Sequence, residues 1–354
     1  MLFHLYLAVI VNTVAGQVPQ EDASFNTDGQ EIGMISGVDV DSRGDLYVFH
    51  RADRPWTDDL FEPNSNSLSA LGQVPIHKDP IFKLDPKTGR KISSFGGDIF
   101  NIPHGLKIDA NDTIWVTDVG RHQVLRFRKG ATTPDLILGE KFVPGNDDLH
   151  FCKPTDVSFS RNGDFFVADG YCNNRVLKFS SDGRFITQWG VRADNDNLTM
   201  FTLDTPHSLT YIDHLDLICV ADREHSRALC YNAGNSAELS TGTFNRTLIG
   251  FNETGKVFSI YYNQAGNDVI SAGEISRDAY SEGGQLVYPP RAFTYDLEGN
   301  RKEAWSQITP AVSSSGPSLI HALCVSKDGQ DIFLSDIVQQ KVFKYTRRSA
   351  AVGK

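Results

Sequence analysis

Three histidines of this 354-residue chain stand in similar strings: NIPHGLKIDANDTIWVTDVG (101–120), TPHSLTYIDHLDLICVADR (205–223) and SLIHALCVSKDGQDIFLSD (318–336). In each, the imidazole (His104, His207, His321) opens a run of alternating apolar residues, and an Asp closes the run that follows. Neutral imidazole ligation suits zinc, with copper and iron as alternatives. Three such rings brought to one point would leave a fourth position for water or substrate, the coordination of a catalytic zinc with Zn–N bonds of ~2.0–2.1 Å. A lone histidine at a strand start is more often a hydrogen-bonded core or surface residue. The chemistry therefore depends on what the intervening chain does with the three.

That chain repeats. SGVDVDSRGDLYVFHR from Ser36, HGLKIDANDTIWVTDVGRHQVLRF from His104, TDVSFSRNGDFFVADGYCNNRVLKF from Thr155, HSLTYIDHLDLICVADREHSRALCY from His207 and HALCVSKDGQDIFLSDIVQQKVFKY from His321 share one plan, with FSIYYNQAGNDVISAGE from Phe258 as a weaker copy. The core period is about fifty residues, in the range of propeller repeats. Period-2 alternation, turns such as Asn162-Gly163 and Asp328-Gly329, and β-branched or aromatic enrichment indicate antiparallel strands. A third strand (RVLKF, KVFKY) and a fourth (GRFITQWG) complete a four-stranded blade, so the fold expected is all-β, a six-bladed β-propeller with four-stranded antiparallel blades. The innermost strands line the central channel, which places Ser36, His104, Thr155, His207, Phe258 and His321 at one level around the axis. The histidines fall in every second blade, a third of a turn apart, so three imidazoles converge. The repeated acids Asp118, Asp169, Asp222 and Asp336 are expected to tie turns and neighbouring strands rather than to react.

Composition agrees with a folded chain: 40% of residues are hydrophobic and 22% charged. A net charge of −10 with scattered Lys and Arg argues against a nucleic-acid partner. MLFHLYLAVIVNTVAG reads as a signal peptide (1–16); its apolar stretch falls short of the roughly 20 residues of a membrane span, and no second stretch approaches one. The expected divisions are then 17–35 as an N-terminal extension, 36–346 as the propeller and 347–354 as a C-terminal tail. Sequons at Asn111, Asn197, Asn245 and Asn252 are compatible with glycosylation on a secretory route. The five cysteines contain no C-x-x-C, which disfavours a thiolate zinc site and, in an oxidising compartment, favours disulfides. Cys152 with Cys172 and Cys219 with Cys230 are the local pairings, and Cys324 in LCV reads as a buried free thiol. A secreted or secretory-lumen monomer follows.

The strings PHGL, FCKPTDV, VADGYCNNRV, ITQWG, TPHSL and LICVADRE resemble the peptidyl-α-hydroxyglycine α-amidating lyase, the second catalytic unit of peptide-amidating monooxygenase, from about Ser36 to Tyr345. The resemblance implies zinc held by His104, His207 and His321, a catalytic tyrosine at Tyr171 in GYC, and active-site arginines at Arg51 and Arg223. It also implies disulfides Cys152–Cys172 and Cys219–Cys230. The substrates implied are peptides ending in α-hydroxyglycine, cleaved to an α-amidated peptide and glyoxylate, with a separate monooxygenase supplying them. Arginine suits the substrate carboxylate through bidentate hydrogen bonds, and Tyr171 suits transfer of the hydroxyl proton.

One string departs from the family. Where the family reads Met-Pro-His-Asp, this chain reads Leu319-Ile320-His321-Ala322. In the family that Asp also ligates a structural calcium, alongside backbone carbonyls corresponding to Val38 and Leu106. Ala322 offers no such oxygen, so calcium is expected to bind weakly or not at all, and His321 to be held less firmly. The alternative to a lyase is accordingly a catalytically weakened, lyase-like propeller acting as a secreted peptide- or protein-binding module. A calcium-dependent hydrolytic propeller of the lactonase kind would want Asp, Glu and Asn at the axial level, which these residues do not supply.

Overall fold

The computed structural model describes residues 18–193, 197–235, 240–251, 253–274, 280–282, 285–287, 291–305 and 318–347. The expected signal peptide and most of the C-terminal tail lie outside them. Six four-stranded antiparallel sheets form six blades. Blade one comprises Ile35–Val40, Leu46–His50, Ile81–Leu84 and Lys91–Phe95; blade two Pro103–Ile108, Ile114–Asp118, Gln123–Phe127 and Leu136–Leu138. Blade three comprises Pro154–Phe159, Phe165–Asp169, Arg175–Phe179 and Phe185–Trp189; blade four Pro206–Ile212, Leu217–Asp222, Arg227–Asn232 and Phe244–Ile249. Blade five comprises Lys256–Asn263, Asp268–Glu274, Arg291–Tyr295 and Arg301–Trp305. Blade six takes Ile320–Val325, Asp331–Asp336 and Lys341–Thr346 from the C-terminal end, and its outermost strand, Gln20–Glu21, from the N-terminal segment. Gln20 pairs with Thr346 and Glu21 with Tyr345, so part of the segment 17–35 is built into the ring.

The apolar core is distributed between blades. Phe166, Ala168 and Val176 of blade three meet Leu209, Ile218 and Val220 of blade four; Ile35, Val38 and Val48 of blade one meet Cys324, Phe333 and Val342 of blade six. Each second strand is buried on both faces, which is why FFVAD and LICVAD read as continuous apolar runs. Emptying one such site, for instance Phe166→Ala, would cost about 3–5 kcal/mol.

Every innermost strand carries a register irregularity at the same place: between Ile35 and Gly37, Pro103 and Leu106, Pro154 and Asp156, Pro206 and Ser208, Val257 and Ser259, and Ile320 and Ala322. The ladder skips the axial residue in each blade, and in blade two Gly105 with it. A bulged residue is unpaired and its side chain is re-aimed; here all six turn to the channel. The aspartates ending the second strands do the tying expected of them. Asp118 accepts from the amides of Asn101, Ile102, Gly120 and Arg121, and Asp169 from Cys152 N, Asn173 and Arg175.

Candidate active site

The three axial imidazoles converge. Ring centroids of His104, His207 and His321 lie 4.7–4.9 Å apart, and their ligating nitrogens lie within 4.8 Å of one another. One rule orients all three: each Nδ1 meets the backbone carbonyl of the axial residue in the following blade. His104 meets Thr155 O at 2.7 Å, His207 Phe258 O at 2.6 Å and His321 Ser36 O at 2.8 Å. An Nδ1–H donated to a carbonyl fixes the tautomer that leaves Nε2 with its lone pair directed at the axis. Close approach makes this geometry possible. A Cβ on Gly105 would stand 2.5 Å from Thr155 O, the carbonyl His104 uses, and this is what the Gly of PHG is for.

Burial, then repulsion from His321 and Arg51, holds the His104 pKa well below the usual imidazole range. Burial, then His321, His104 and Arg223, does the same for His207, and burial with Arg51 brings His321 down to about 3. All three are neutral at physiological pH, the form in which imidazole binds a metal. Three neutral nitrogens with their outer hydrogen bonds already made fit a zinc-like ion. His321 keeps its carbonyl partner, Ser36 O, despite the Ile320 and Ala322 flanks.

Tyr171, Arg51 and Arg223 are gathered round this point. Tyr171 Oη lies 2.8 Å from His104 Nε2 and 3.2 Å from His207 Nε2; its single O–H can be donated to only one of them at a time. Its backbone is secured beside the Cys152–Cys172 disulfide, and the preceding Gly170 passes so near blade four that a Cβ would lie 2.2 Å from Pro206 O. Arg223 reaches Tyr171 Oη at 3.5 Å, and its guanidinium lies over the rings of Tyr171 and Phe258 at 5.2 and 5.0 Å. It also pairs with Glu224, which Lys256 grips at 2.7 Å. Arg51 is 3% exposed, donates from Nε to Pro103 O at 3.1 Å, and has no carboxylate partner among the described residues. Burial lowers its pKa to about 10, against the pull of Tyr171 and Asp118, so it remains a cation.

Cys152–Cys172 and Cys219–Cys230 are both disulfides and Cys324 is free and buried. Asn111, Asn197 and Asn245 are exposed; Asn252 lies outside the described residues. Val38 and Leu106 line a cavity of about 20 Å³ below the histidines, facing Ala322. The donor set there does not fit calcium: Ala322 offers no side-chain oxygen, and the ammonium of Lys107 stands 3.9 Å from the Asp156 carboxylate.

Sequence reasoning missed Trp56. Its ring packs edge-on to Tyr171 at 5.0 Å and lies 5.0 Å under the Arg51 guanidinium, so it braces two site residues at once. It belongs to the long connection after His50, which has no periodicity to read; an aromatic five residues from Arg51 in HRADRPW was the available signal.

NHL-repeat models match residues 100–127 and 151–179. The chain is 33% identical over 315 residues to the probable peptidyl-alpha-hydroxyglycine alpha-amidating lyase of Caenorhabditis elegans, covering 89% of this chain and 83% of that protein. It is 39% identical over 248 residues to peptidyl-glycine alpha-amidating monooxygenase A of Xenopus laevis, covering 70% of this chain and 26% of that protein. A solved structure of Kuenenia stuttgartiensis hydrazine synthase matches with a TM-score of 0.55 at 8% identity, over 91% of this chain and 97% of that one, a likeness of fold alone. Fold and site define a β-propeller enzyme whose axis carries a three-imidazole centre able to hold a metal. Within that class, the chain belongs to the peptidyl-α-hydroxyglycine α-amidating lyase family, and it is a lyase.

Proposed function

We propose that this lyase cleaves peptidyl-α-hydroxyglycine to an α-amidated peptide and glyoxylate, with zinc held by His104, His207 and His321. The observation that carries the reading is the meeting of three neutral imidazoles with one phenol and two guanidiniums at a single end of the channel. The reaction breaks the C–N bond of a carbinolamide, forms the aldehyde C=O of glyoxylate, and moves one proton from the hydroxyl oxygen to the departing amide nitrogen. No oxidant is needed. Zinc, when bound, supplies a Lewis acid that polarises the substrate's oxygens.

The chain's own residues do the rest. Arg51, a buried cation with no carboxylate partner among the described residues, receives the substrate carboxylate, with Arg223 as its second clamp. Tyr171, braced by Trp56 and its neighbouring disulfide, relays the proton: its O–H goes to the departing nitrogen as its oxygen takes the hydroxyl proton, so the phenol is regenerated. The substrate comes from a monooxygenase that hydroxylates glycine-extended peptides, and two disulfides support a secretory, oxidising compartment. On this reading the lyase unit spans 36–346 together with the closing strand at Gln20–Glu21.

The purified protein should turn a peptidyl-α-hydroxyglycine into amide and glyoxylate, and a zinc chelator should stop it. Metal-replete protein with no turnover would sink the reading and leave the binding module suggested by Ala322.

A further inference from the structure

Below the histidines the channel wall carries two buried carboxylates. Asp39, 3% exposed, accepts from Ile108 N at 2.8 Å and so ties blade one to blade two. Asp156, 5% exposed, accepts from Leu209 N at 2.9 Å and ties blade three to blade four. Blades four and five make the equivalent ties with neutral groups, Ser208 Oγ meeting Ile260 N at 3.3 Å and Ser259 Oγ meeting Leu323 N at 3.2 Å. Two carboxylates facing one narrow channel repel each other and lose hydration, a cost that proteins meet with a cation placed between them.

Lys107 of blade two is that cation. Its stem runs along the wall, its side chain is 11% exposed, and its Nζ lies 3.9 Å from Asp156 Oδ2 and 4.9 Å from the centroid of Tyr261 in blade five. Tyr261 in turn donates to Asp39 Oδ1 at 3.2 Å. One ammonium therefore links, directly or through a phenol, the inner strands of blades one, two, three and five. A divalent ion would need six or more oxygens converging here. Ala322 provides none from its side chain, and an ammonium already stands beside the Asp156 carboxylate.

We propose that Lys107 supplies the channel with a built-in positive charge in the place a calcium ion would otherwise take, so that the axial strands of this chain are held together without calcium. A cation carried on the wall cannot dissociate, and the register of His104, three residues earlier on the same strand, becomes independent of calcium supply.

The test uses the whole protein and no turnover measurement, so it stands apart from the reaction proposed above. Elemental analysis should find no stoichiometric calcium in wild type, and its Tm should be the same in 2 mM calcium as in EGTA. Lys107→Met should lower Tm by about 6–10 °C, unrelieved by calcium. The double variant Lys107→Ser with Ala322→Asp should regain most of that loss in calcium and lose it again in EGTA. One equivalent of calcium in wild type, a calcium-dependent wild-type Tm, a Lys107→Met protein as stable as wild type, or a folded double variant indifferent to calcium would each overturn the proposal. If neither variant folds, the wild-type calcium measurements decide.

Discussion

His321 and Ser36 are 285 positions apart in the chain, yet the imidazole Nδ1 of one lies 2.8 Å from the carbonyl oxygen of the other. This bond spans the junction where blade six meets blade one, and it repeats the His104–Thr155 and His207–Phe258 bonds elsewhere in the ring. Closure of the propeller and completion of the three-nitrogen set are thus the same event.

Replacing any of His104, His207 or His321 by Ala should therefore remove the metal without unfolding the protein, because the axial residue lies outside the strand ladder. Zinc per chain, measured after dialysis, should fall from near one to near zero, and turnover by at least about 100-fold. The metal-free Tm should move by less than about 3 °C. Retained zinc in all three variants would dissociate the cluster from metal binding.

Tyr171→Phe removes one oxygen and leaves the ring that Trp56 braces. Zinc content should be unchanged, kcat should drop by about 10²–10⁴, and KM should change little. A variant with wild-type kcat would assign proton transfer to another group.

Arg51→Met tests whether an unpaired buried guanidinium is kept for a ligand. Structural arginines leave a carboxylate stranded when removed; this one has no carboxylate partner among the described residues, so Tm should hold or rise. The loss should instead appear in kcat/KM for α-hydroxyglycine substrates, by about 100-fold or more. A clear fall in Tm with unaltered kinetics would make Arg51 a structural residue.

Acid should weaken the fold of the metal-free protein through its buried histidines, the three axial ones and, outside that cluster, His122 and His50. His122 is fully buried, accepts from Lys153 N at Nδ1 and faces Asn66 O at Nε2; burial, reinforced by Lys153, holds it down at about 4. His50 accepts from Gly33 N and Ala52 N, and burial with Lys91 likewise holds it at about 4. In the unfolded chain both protonate near 6.5, so the unfolded state binds more protons as pH falls from about 6.5 to about 4. Their contribution is complete above that window and is lost through it, about 3 kcal/mol for each. The Tm of metal-free protein should decline across this range, and His122→Gln should flatten the decline; an unchanged slope would remove His122 from the account.

Much of the architecture was legible because a propeller repeats its signals. Alternation with Asn162-Gly163 and Asp328-Gly329 turns marks the hairpins, and the blade period places His104, His207 and His321 at one level. The local pairing of cysteines follows from the same strand plan. Gln20–Glu21 was not legible: two polar residues have no periodicity, and their strand exists only because Lys341–Thr346 offers an edge. Lys107 was hidden for a different reason. In an outer strand a polar residue at an alternating position faces water, whereas the same pattern in an innermost strand faces the channel, where charge must be balanced by neighbours distant in sequence.

The bulges have an evolutionary corollary. Since the ladder passes over each axial residue, sheet pairing places little constraint on its identity, and the ring can exchange one functional group for another at Ser36, Thr155 or Phe258 without re-registering a strand. Catalytic repertoire and foldability are uncoupled at these positions, so new reactivity can be sampled on this scaffold one side chain at a time.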